Sequence, residues 1–104
     1  MQGICLKFFV SESQRHHGKL LYEWLLEQAK GMGIGGGTAI RAIAGFGRHG
    51  RLHEEAFFEL AGDLPVEIEF LVSGEQAERL LALLKDENLR LFYARMPAEY
   101  GISS

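Results

Sequence analysis

Residues 35–53 read GGGTAIRAIAGFGRHGRLH, a glycine run that passes into a stretch of small residues and then into a second glycine-rich, basic segment. Thr38 to Ala44 carries the short side chains of a strand on which another group can pack closely. The segment that follows is Gly45-Phe46-Gly47-Arg48-His49-Gly50-Arg51-Leu52-His53, where glycines alternate with arginines and histidines. Glycine leaves the backbone free to take positive φ and to approach a ligand. A segment of this composition makes a poor helix or strand interior. As a loop it offers free N–H donors beside guanidinium groups, and the matching ligand is an anion, above all a phosphate.

Upstream of this stretch, Ile4, Leu6, Phe8 and Val10 alternate with Cys5, Lys7 and Phe9, the period of a strand with one buried face. Ser11 and Ser13 are candidate caps for a helix over about Arg15 to Lys30, in which Leu20, Leu21, Trp24, Leu25 and Ala29 recur at helical spacing. Gly31-Met32-Gly33 ends it. His16 and His17 fall in the first turn of that expected helix, where neighbouring side chains diverge by about 100° and cannot readily grip one metal ion. They read as surface or capping residues, and no metal ligand is assigned. The second strand runs from Thr38 to about Phe46. Glu54 to Leu60 forms either a short helix or part of a long excursion at about 45–62. Pro65 opens a third strand, with Val66, Ile68, Phe70 and Val72 alternating with Glu67, Glu69 and Leu71. Ser73-Gly74-Glu75-Gln76 has the spacing of a capping box for a helix to about Lys85, with Ala77, Leu80, Leu81 and Leu84 inward. A last strand spans Asn88 to Met96, Pro97 closes it, and 98–104 shows no periodicity.

Strand, helix, strand, strand, helix, strand in one domain over 1–104 implies an α+β, ferredoxin-like βαββαβ sandwich: a four-stranded antiparallel sheet with both helices on one face. The other face then carries Cys5, Phe9, Leu71 and some of Phe92, Ala94 and Met96, among Lys7, Glu67 and Glu69. That is too much apolar surface for an isolated subunit, and a homo-oligomer follows. The 104 residues suffice for one modest core. A net charge of -3 argues against nucleic acid as a partner. No apolar run nears the roughly 20 residues that span a bilayer, so the chain is not expected to be membrane-embedded. One cysteine, Cys5, precludes an internal disulfide and suits a reducing cytoplasm, and the N-terminus does not resemble a signal peptide.

The order of elements, the length and the segment from Gly35 to Gly50, above all Gly45-Phe46-Gly47, resemble the small bacterial proteins grouped with PII-like signalling proteins. The resemblance covers nearly the whole chain. It implies a ferredoxin-like subunit assembled as a homotrimer, a long T-loop after the second strand that presents itself to a partner, and clefts between subunits that take adenine nucleotides or other small anionic effectors. Carried onto this chain, the loop base is Gly45, Phe46, Gly47 and Arg48, and the partner-binding tip lies among His49, Gly50, Arg51, Leu52 and His53. Arg95, with Arg90 second, stands where PII proteins place basic residues towards a neighbour's cleft, and Arg41 is a further candidate for the anion. The partner is expected to be a membrane transporter or an enzyme. Two departures stand out. The segment before the last strand is Lys85-Asp86-Glu87-Asn88, without the glycine of nucleotide-binding PII proteins, and the loop contains no tyrosine.

Two other functions compete with a non-enzymatic regulator. His49 and His53, four apart, would share a face with Glu54 or Glu55 near by if this segment became helical, which would suit a divalent-metal-responsive trimer. A small ferredoxin-like enzyme comes last, because no base is placed beside a nucleophile in the sequence, and no catalytic residue is assigned.

Overall fold

A computed structural model describes residues 1–46 and 64–104. The strands are β1 (Gln2–Ser11), β2 (Arg15–His16), β3 (Lys19–Leu20), β4 (Gly37–Arg41), β5 (Pro65–Val72) and β6 (Phe92–Glu99), and the helices are α1 (Leu21–Gly31) and α2 (Gly74–Asp86). Four strands form one sheet in the order β4-β5-β1-β6, and each neighbouring pair is antiparallel. This is the expected ferredoxin-like arrangement. β1 and β4, joined through α1, run parallel with β5 between them, and the second crossover, through α2, places β6 on the far side of β1.

The alternation read from the sequence sets the layers. Leu6, Phe8 and Val10 of β1 and Val66, Ile68, Phe70 and Val72 of β5 are buried against Leu21, Trp24, Leu25 and Ala29 of α1 and Ala77, Leu80 and Leu84 of α2. Phe8 lies between the Phe70 ring, 6.3 Å away edge-on, and that of Tyr93 at 6.1 Å. On the opposite face the cross-strand pairs are Phe9 with Glu67, Lys7 with Glu69 and Cys5 with Leu71.

Both helices are terminated in the same way. After α1, the Gly33 N–H donates to the Lys30 carbonyl and the Ile34 N–H to that of Ala29, with Gly33 at φ 85°. After α2, the Asn88 N–H donates to Lys85 and the Leu89 N–H to Leu84, with Asn88 at φ 56°. Each is a Schellman closure, with a left-handed residue just past the cap and an apolar residue behind it folded back onto the core. The Ser73 capping box forms as expected: the Gln76 N–H donates to Ser73 Oγ at 3.1 Å and the Ser73 N–H to Gln76 Oε1 at 3.0 Å.

Four boundaries differ from expectation. The first helix begins at Leu21 rather than near Arg15, and its cap position is Leu20, so neither Ser11 nor Ser13 caps it. Residues 15–20 form a hairpin instead, with His16 opposite Lys19. The two-residue connection His17-Gly18 has φ values of 53° and 77°, those of a type I′ turn, whose twist suits two paired strands. Helical periodicity in Leu20 and Leu21 masked that turn. β4 stops at Arg41 rather than near Phe46, although the Ala42 N–H still donates to the Pro65 carbonyl at 2.8 Å. β6 starts at Phe92 rather than Asn88, because the Schellman closure takes up Asn88 and Leu89. It continues through Pro97 to Glu99, since a proline is tolerated on an edge strand where no partner needs its N–H. Beyond it the Tyr100 N–H donates to the Met1 carbonyl, so 98–100 belongs to the sheet end and is not a loose tail.

Candidate functional site

At one end of the sheet the close of β1, the residues after β4, the start of β5, the end of α2 and the start of β6 border an open groove of about 1320 Å³. Its described walls are largely apolar, with Phe9, Leu64, Pro65, Leu81, Leu84, Leu89, Leu91 and Phe92 among them. The charged side chains among the described lining residues are Lys85 and Arg90, and both are cationic. The groove thus combines apolar walls with positive charge, the composition that holds a flat apolar body carrying an anionic group. Lys85 is in the last turn of α2, and Arg90 follows the Schellman closure.

Of the residues singled out from the sequence, Gly45 and Phe46 line this groove, and Phe46 is 81% exposed. A Cβ on Gly45 would lie 3.4 Å from the Pro65 ring, an ordinary contact, so a small side chain fits there. Gly47, Arg48, His49, Gly50, Arg51, Leu52 and His53, together with Glu54 and Glu55, lie outside the described residues. Arg41 and Arg95 are placed elsewhere. The Arg41 guanidinium pairs with the Glu12 carboxylate. Arg95 is opposite Leu6 on the helix side of the sheet, and its Nη1 is 2.6 Å from Glu78 Oε2 of α2. Both arginines therefore make ion pairs within the subunit, and of the two late arginines it is Arg90 that borders the groove. The Schellman closure explains this, since it turns the chain after α2 back over the core.

The sheet face away from the helices carries the residues expected of it. Phe9, Leu71, Phe92 and Met96 are all more than one third exposed, and the Phe9 and Phe92 rings lie 5.5 Å apart. Ile40 of the edge strand β4, opposite Glu67, joins them on this face. In their midst Lys7 Nζ is 3.1 Å from Glu67 Oε1 and 3.4 Å from Glu69 Oε1. Hydrogen bonding to Glu67, followed by the charge of that carboxylate, raises the Lys7 pKa above its ordinary value. No helix among the described residues is long and apolar enough to cross a membrane.

The same architecture occurs in solved structures. TTHA0516 of Thermus thermophilus, assigned as a PII-like signalling protein, superimposes with a TM-score of 0.56 at 21% identity, covering 93% of this chain and 88% of that one. CPII from Thiomonas intermedia K12, solved bound to ADP, AMP and acetate, does so with a TM-score of 0.51 at 19% identity, over 96% and 93% of the two chains. At such identities the likeness is one of fold, and the fold is PII-like. In sequence, the UPF0166 protein of Aquifex aeolicus is 37% identical over 83 residues, 80% of this chain and 79% of that protein. UPF0166 protein MJ1524 of Methanocaldococcus jannaschii is 34% identical over 79 residues, 76% and 72% of the two chains. The DUF190 family, described as uncharacterised ACR, matches residues 3–90, and with most of its length so covered this chain belongs to that family.

Proposed function

We propose that this chain is the subunit of a PII-like regulatory protein. It assembles as a homotrimer through the sheet face away from the helices and takes a small anionic effector, an adenine nucleotide foremost, between subunits, in the groove at the sheet end. It acts without catalysis, by presenting the segment His49 to His53 to a partner protein such as a transporter or an enzyme. The observation that carries this reading is the groove itself, with apolar walls and Lys85 and Arg90 as the charged groups among its described lining residues. Gly45 and Phe46 on its border lead directly into Gly47 and Arg48 in the sequence. Backbone N–H groups at such a glycine pair, with a guanidinium adjoining, suit a phosphate. The PII-like fold adds support, and one protein of that fold is bound to ADP and AMP.

The test is calorimetry of the intact protein against ATP, ADP, AMP, cyclic AMP and cyclic di-AMP. Removing one charged hydrogen-bonding partner costs roughly 1.5–3 kcal/mol, so Arg48→Ala and Arg90→Ala should each weaken binding about ten- to a hundredfold while leaving helix content unchanged. If none of the five binds below about millimolar, the nucleotide reading fails. If one binds with unaltered affinity in both variants, its site is not this groove.

A further inference from the structure

We propose that His16, His17 and Glu87 form a binding site for one divalent transition-metal ion of the zinc, cobalt, nickel or copper kind, tying the β2–β3 hairpin to the end of α2. This site is separate from the groove and does not depend on the nucleotide reading. On a helix two adjacent histidines would diverge, but here the type I′ turn brings them to one side. His16 Nε2 is 2.9 Å and His17 Nε2 2.7 Å from the same oxygen, Glu87 Oε1, and the two rings have centroids 4.1 Å apart. One donor atom from each of the three residues lies within 4.8 Å of the other two. A tetrahedral ion with ligands at about 2.0–2.1 Å holds them some ~3.4 Å from one another, so shifts of an ångström or so in side-chain position convert this cluster into a coordination set.

The surroundings point the same way. Glu87 is the cap residue of α2, at the negative end of the helix dipole, which favours a cation there. The Schellman closure fixes its backbone, and His16 stands edge-on to the buried Trp24 with centroids 4.6 Å apart, so two of the three ligands are held in place. The His17 side chain is 63% exposed, which leaves the remaining coordination position open to water. Two imidazoles and one carboxylate select the later first-row ions over magnesium or calcium.

Trp24 is the chain's single tryptophan and lies against the site, so it reports on it directly. Cobalt chloride titrated into the intact protein should quench its fluorescence saturably at one ion per chain, with chelator restoring it and zinc competing. His17→Asn keeps a residue favoured in the left-handed turn position, and Glu87→Gln keeps the shape of the side chain. Each should weaken binding by about tenfold or more, with the circular dichroism spectrum unchanged. The double variant His49→Ala, His53→Ala should bind as the unsubstituted protein does. The proposal is overturned if saturable quenching is absent below about millimolar cobalt or persists unchanged in His17→Asn and Glu87→Gln. Loss of quenching in the His49, His53 variant also overturns it, by moving the ion to the loop.

Discussion

The two faces of the central sheet come from the same residues taken alternately, yet they end in different surroundings. Phe8 and Phe70 point to the helices and are 0% and 1% exposed, whereas Phe9 and Leu71, one residue along each strand, are 37% and 49% exposed. Both faces carry large apolar groups. What separates them is that the first finds its cover in Trp24, Leu25, Leu80 and Leu84, whereas at the centre of the second lies the Lys7–Glu67–Glu69 cluster. A charged cluster ringed by Phe9, Leu71, Phe92 and Met96 is a surface suited to a second copy of itself, since its ion pairs supply register while the apolar groups supply area. The first face accounts for the fold of the subunit, and the second for the assembly proposed for it.

Substitution on the inner face should have the larger effect on stability. Phe70→Ala removes a ring packed edge-on to Phe8 and is expected to cost about 3–5 kcal/mol in chemical denaturation. Next comes the outer face. Phe9→Glu or Leu71→Glu would bury an unpaired charge between copies at a cost of several kcal/mol, so assembly should be lost in sedimentation while the helical circular dichroism remains. A subunit that unfolds instead would assign Phe9 and Leu71 to the core rather than to the interface.

A smaller effect is expected where an edge strand meets the inner face. A Cβ at Gly37 would lie 2.5 Å from Phe70 Cε1 and 2.8 Å from its Cδ1, and the Phe70 ring is fully packed. Gly37→Ala should therefore destabilise by about 1–3 kcal/mol, through displacement of that ring. Ser73→Ala, away from both faces, removes the hydroxyl that accepts the Gln76 N–H and is expected to cost about 1 kcal/mol, seen as a small fall in melting temperature.

The sheet was legible in the sequence because strand alternation is a two-residue signal, strong in β1 and in β5, and because the capping box and Pro65 mark element starts chemically. The hairpin at Arg15 to Leu20 was not. Its turn is His17-Gly18 rather than the familiar Asn-Gly, and the apolar residues after it continue smoothly into the phase of α1. The hairpin also hid the convergence of His16 and His17, for the two point apart on a helix and together at the start of a type I′ turn. Glu87 could not be joined to them from sequence at all, being 70 residues on from His17 and brought there only by the packing of α2. Gly45 and Phe46, which border the groove, were named through the resemblance of the Gly45-Phe46-Gly47 segment. Arg41 was singled out for its charge and Arg95 through the resemblance, but neither signal reveals a partner within the chain, and Glu12 and Glu78 pair with them inside the subunit.

Sedimentation equilibrium of the unsubstituted chain tests most directly the claim that the outer face is an interface and the groove a cleft between copies. The result expected is a single species with three times the 11.6 kDa mass of one chain, persisting to low micromolar concentration. A monomer mass across the concentration range would contradict it.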